Sequence, residues 1–89
     1  MERQVHVVNK LGLHARPAAE FVRCARTFES VVTIHKEGET YSAASILDVL
    51  TASLDYGSTM IIAADGPDAE QALDRLSELL LEFRKQEES

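Results

Sequence analysis

Between residues 69 and 83 the apolar side chains Ala69, Ala72, Leu73, Leu76, Leu79, Leu80 and Phe83 return at intervals of three and four. No strand gathers such a set on one side, so the spacing predicts an amphipathic helix, opened by Asp65-Gly66-Pro67-Asp68 and running to about Lys85. A helix with one greasy stripe must lay it against another element. The rest of the chain supplies short β-branched runs. Residues 5–8 predict a first strand and 31–36 a second. A tight turn at Glu37-Gly38-Glu39 leads into a third over 40–43, and Tyr56-Gly57-Ser58 turns into an apolar fourth over 59–64.

Two more helices complete the pattern. Ala18, Phe21, Val22, Ala25 and Phe28 keep helical spacing across 15–27. Pro17 fits only a first helical turn, where its missing N–H costs nothing, so this helix begins within a residue or two of His14. Ser45-Ile46-Leu47-Asp48 has the form of a capping box and predicts a short helix over 46–53. The order is therefore β-α-β-β-α-β-α. It predicts the α+β class: a four-stranded antiparallel sheet with three helices on one face and the other face open to water, an open-faced β-sandwich. With 89 residues the chain is expected to form a single domain over 1–89, with little interior for a deep substrate pocket. That favours a surface site.

Charge and thiol content narrow the function classes. Residues 1–36 carry six basic and three acidic side chains, a net of +3. Residues 37–89 carry three basic and twelve acidic, a net of −9, and the sum is −6. The overall sign argues against nucleic acid as the main partner, and the basic part is suited to an acidic or phosphorylated protein. The longest apolar run, 60–64, is far too short for a bilayer, and the start of the chain has no signal-peptide character. The single Cys24 makes no internal disulfide and suits a reducing compartment. The expected location is the cytoplasm. His6 and His35 fall in predicted strands with no metal-ligand spacing, so no metal is expected. There is no P-loop for direct nucleotide use.

The chemistry is concentrated in Gly12-Leu13-His14-Ala15-Arg16-Pro17-Ala18. Imidazole is nucleophilic near neutral pH, and a phosphorylated ring nitrogen passes its phosphoryl group on readily. His14 stands where a helix begins, so free backbone N–H groups and the helix dipole favour an anion there. Arg16 offers a planar, permanently charged fork to phosphate oxygens. Gly12 permits positive φ or close backbone approach, and Pro17 stiffens the first turn beside Ala15.

This heptad resembles the active-site signature of HPr, the histidine-containing phosphocarrier of the phosphoenolpyruvate-dependent sugar phosphotransferase system. The resemblance extends over essentially the whole chain in length and element order. It implies that His14 accepts phosphate through Nδ1 from enzyme I, itself charged by phosphoenolpyruvate, and donates to the IIA domain of a sugar permease. Arg16 matches the arginine that pairs with the phosphoryl group. The implied protein is a stoichiometric relay with no cofactor, not an enzyme with its own substrate, and an exposed relay site suits a monomer. Two other readings share these residues. One is a nitrogen-type regulatory paralogue with the same histidine chemistry. The other is an adaptor regulated through Ser45.

At about 100° per residue, Arg16 and Arg23 fall within about 20° of each other on the first helix and Arg26 about 80° from Arg16. They form a basic rim opposite the apolar stripe, diluted by Glu20. The short helix carries apolar residues on too many sides for one buried stripe. Ile46, Leu47 and Leu50 cluster on one arc, with Val49 and Ala52 on another. Burial and exposure are both open from the residues alone. The resemblance assigns Arg23, Arg26, Ile46, Leu47 and Leu50 to partner docking. Ser45 reads as a helix cap. The resemblance adds regulatory phosphorylation there by a serine kinase/phosphorylase, although Ala44 stands where the family commonly has lysine.

Overall fold

A computed structural model describes residues 1–88. The elements are β1 (Glu2–His6), α1 (Ala15–Ala25), β2 (Val31–Lys36), β3 (Glu39–Ser42), α2 (Ile46–Thr51), β4 (Thr59–Asp65) and α3 (Ala69–Glu88). The four strands make one antiparallel sheet in the order β1-β4-β2-β3. Val5, Val32, Ile34, Met60, Ile62 and Ala64 point inward and are buried, while their neighbours along each strand lean to solvent. The period of two therefore gives the sheet one packed and one open face. Phe21, Val22, Leu73, Leu76, Leu80 and Phe83 from α1 and α3 close the core over the packed face, so the expected α+β open-faced sandwich is what forms.

The boundaries differ from expectation in instructive places. β1 begins three residues earlier and ends two residues earlier than the valine run predicts. Val7 is buried but leaves the regular ladder: its N–H donates to Ser58 and its carbonyl accepts from Gly57, each at 2.9 Å. The polar Glu2-Arg3-Gln4 forms the strand because β1 is an edge, where charged residues are tolerated. Arg3 there reaches α3, 2.7 Å from Asp74.

α1 stops at Ala25 because the Thr27 hydroxyl and N–H both donate to the Cys24 carbonyl. Phe28 is therefore off the helix, yet still packs against the core. The hairpin turn is Glu37-Gly38 alone, with φ +52° and +81°, and Glu39 already pairs with Lys36. α2 ends at Thr51, followed by Ser53 at φ +52°. The Lys36 ammonium donates to the carbonyls of Ala52 and Ser53 at 2.9 and 2.7 Å, capping the end of α2 from the sheet.

Candidate functional site

His14 is the N-cap residue of α1, with extended backbone (φ −79°, ψ −167°) and its carbonyl accepting from Ala18 at 2.9 Å. The ring makes no capping bond and is exposed. The first turn of α1 contains no acidic residue. Pro17 is buried and has no N–H to satisfy, while Ala15 and Arg16 are exposed. An exposed imidazole at a helix N-terminus with a guanidinium two residues on is an arrangement for carrying an anion.

The backbone beneath His14 is held from two sides. Gly12 is buried with φ +67°, and a Cβ there would meet the Leu54 carbonyl oxygen at 2.8 Å and Asp55 Cα at 3.0 Å. Only glycine satisfies both the φ and the approach. Leu13 follows into the core and donates its N–H to Leu54 at 2.8 Å. On the other side, fully buried Asn9 donates through Nδ2 to the Gly12 carbonyl at 2.8 Å and to Glu87 Oε2 at 3.1 Å. The Glu87 carboxylate also accepts the N–H groups of Lys10 at 2.7 Å and Leu11 at 3.1 Å. Desolvation works to raise the Glu87 pKa, but the bonds from Asn9, Leu11 and Lys10, with the nearby His14 ring, hold it below the usual glutamate value.

Arg16, Arg23 and Arg26 are exposed along α1, and the Arg26 Nε donates to the Ala44 carbonyl at 2.9 Å, tying the end of α1 to the approach to α2. α2 divides cleanly. Val49, Ala52 and the following Leu54 are buried, while Ile46, Leu47 and Leu50 are 40%, 73% and 41% exposed. Ile46 meets Ala19, Val22, Arg23 and Arg26 around one shallow groove of about 280 Å³. The basic rim and the apolar face of α2 thus share a surface.

The Ser45 hydroxyl accepts the Asp48 N–H at 3.3 Å, as a cap should. The return arm of the capping box is absent. The Asp48 carboxylate instead accepts the Ser42 N–H at 2.8 Å, fastening α2 to β3. His6 and His35 sit on strands, bonded to threonine hydroxyls of the sheet. Burial pushes the Cys24 thiol up, and the residue is half-buried. Among the described residues no group of His, Cys, Asp or Glu could hold a metal ion, and no helix is long and apolar enough to cross a membrane.

Asn9, Lys36 and Glu87 are absent from the sequence-derived set. Asn9 carries a turn signal only, and its partner Glu87 is 78 positions away, so no local pattern joins them.

Fold and site together define a small α+β domain with an exposed histidine at the start of a helix, and comparison with known proteins identifies its family. Residues 1–82 match the family described as "PTS HPr component phosphorylation site". The phosphocarrier protein HPr of Vibrio cholerae is 38% identical over 79 residues, covering 89% of this chain and 93% of the relative. The phosphocarrier protein NPr of Shewanella violacea is 40% identical over 80 residues, covering 90% and 88%. An HPr crystal structure from Thermoanaerobacter tengcongensis superposes with a TM-score of 0.91 at 33% identity, covering 96% of each chain. The chain belongs to the HPr family of phosphocarrier proteins of the phosphotransferase system.

Proposed function

We propose that the chain accepts a phosphoryl group on His14 Nδ1 from enzyme I and passes it to the IIA domain of a sugar permease. The observation that carries this reading is the exposed His14 ring, free of any capping bond, with Arg16 two residues along the same helix start. The donor's P–N bond breaks as a P–N bond to His14 forms, and the reverse exchange loads the acceptor. Arg16 and the backbone N–H groups of the first turn offset the charge on the transferring group. The groove joining Arg23, Arg26 and Ile46, with Leu47 and Leu50 beside it, is the docking surface for both partners. The protein works as a single 1–89 domain, as a monomer in the cytoplasm, and needs no cofactor.

Labelled phosphoenolpyruvate with purified enzyme I tests this. An acid-labile label that disappears in His14→Ala is expected. An acid-stable label, or one retained by that variant, overturns the reading. The comparable identity to an NPr supports one alternative, a nitrogen-type regulatory carrier with the same chemistry. Transfer from labelled protein to a sugar-type or a nitrogen-type IIA domain separates the two.

Ser45 lies at the edge of the docking surface. Phosphorylation there by a serine kinase/phosphorylase would set a dianion at the start of α2, held by the helix N-terminus and next to Ile46, altering partner affinity. An acid-stable label on Ser45 from kinase and ATP is its test.

A further inference from the structure

Glu87 lies at the far end of the chain from the histidine heptad, yet it is the main partner of the loop that leads into it. Its two carboxylate oxygens take three donors: the N–H groups of Lys10 and Leu11, and Nδ2 of Asn9. Asn9 is fully buried and passes the restraint on, since the same Nδ2 donates to the Gly12 carbonyl two residues before His14. Gly12 has little room to shift, because any side chain on it would collide with the backbone of Leu54 and Asp55 and the next residue, Leu13, is bonded to the Leu54 carbonyl at 2.8 Å. A continuous path of hydrogen bonds therefore runs from the last turn of α3 to the residue pair below the imidazole. The carboxylate is also within electrostatic reach of the His14 ring.

We propose that Glu87 is a positioning residue for the relay: it latches loop 9–12 against α3 while His14 is bare, and the latch and a phosphoryl group on His14 oppose each other. This rests on the phosphocarrier reading. A neutral or cationic imidazole tolerates a neighbouring carboxylate, whereas a phosphoryl group places further negative charge in the same region and repels it. Lys10 and Arg84 line the same cleft as Glu87, together with His6 and Tyr56. Charge-assisted bonds from backbone N–H groups are the ones such repulsion weakens. The loop is therefore stiffer in the empty carrier than in the loaded one.

The test uses the full chain, and its first part needs no partner protein. Phosphoramidate loads the histidine directly: its P–N bond breaks, a P–N bond to the ring forms, and ammonia leaves with a proton. Amide proton exchange is then read by NMR at Lys10 and Leu11. The Leu13 amide, bonded to Leu54, is the local control. Loading the wild-type protein should speed exchange at Lys10 and Leu11 by about tenfold, the loss of one charge-assisted bond, and leave Leu13 unchanged. Glu87→Gln should show the fast rates before loading and no further change after it. That variant should also shift the phosphoryl equilibrium with enzyme I toward the loaded carrier by about threefold, a readout that a purely structural role would not move.

Unchanged rates on loading, or unchanged rates in Glu87→Gln, overturn the latch. Speeding at Leu13 to the same degree also overturns it, because the loosening is then general. A protein that phosphoramidate labels but enzyme I does not sinks the sugar relay and leaves the latch standing. A histidine that neither reagent labels sinks both.

Discussion

The carbonyl oxygen of Leu54 stands 2.8 Å from the position a Cβ on Gly12 would occupy, and Gly12 holds φ +67°. Gly12→Ala should therefore destabilise the fold by about 2–3 kcal/mol, the sum of left-handed strain and a backbone clash. Urea unfolding measures it. Phosphoryl acceptance should fall as well, since relief of the clash displaces Leu13 and with it the start of α1. A variant with wild-type midpoint and wild-type labelling would show that the close approach is not needed.

Arg16 is exposed and its removal should leave stability within about 0.5 kcal/mol of wild type. The rate of transfer from enzyme I should fall about 100-fold in Arg16→Gln, as when one donor to a developing charge is lost. Arg16→Lys should recover only part of it, since an ammonium cannot reproduce the guanidinium fork. Stopped labelling reactions at matched protein concentrations resolve the difference.

On α2 the exposed and buried residues should part company. Leu47→Ser should leave the unfolding midpoint nearly unchanged and weaken binding to enzyme I, read by titration calorimetry. Leu54→Ala, at 2% exposure, should cost about 2–5 kcal/mol. Equal loss of stability in both would contradict the division of the surface described above.

Asp68 governs an acid-sensitive joint. Its carboxyl is held below the usual aspartate value first by the Ser30 hydroxyl and then by the Glu29 N–H, with the Ser30 N–H adding to them against some desolvation. A carboxyl that is low in the folded state and ordinary in the unfolded chain contributes stability in full above the unfolded value of about 3.9. That stability is lost as pH falls through the lower folded value. Melting temperature should thus decline on acidification below about pH 4–5. Asp68→Asn should melt lower at pH 6 and decline less steeply toward pH 2.

Much of this molecule is legible in its residues. The stripe from Ala69 to Phe83 and the Pro17 restriction locate two helices, because each records a local geometric demand. The heptad around His14 is equally local. What escapes is the set of contacts whose halves are far apart: Asn9 with Glu87, Lys36 with the end of α2, Arg26 with Ala44. Side chains of these types are ordinarily solvated, and nothing nearby marks them as engaged. The α2 face is an intermediate case. The arc of Ile46, Leu47 and Leu50 is visible by spacing, yet which arc faces the sheet depends on the Asp48–Ser42 bond, and a local capping pattern points Asp48 elsewhere.

The position of β4 has a consequence for synthesis. It is hydrogen-bonded to β1 on one side and β2 on the other, and Glu2 pairs with Ala63. As the polypeptide leaves the ribosome, only the β2–β3 hairpin and isolated helices can form early, because the N-terminal strand has no neighbour until residue 65 has emerged. The histidine loop, which depends on residues 54–56 and on α3, is therefore among the last parts to take shape, and nascent chains lacking α3 should carry the heptad without a finished site.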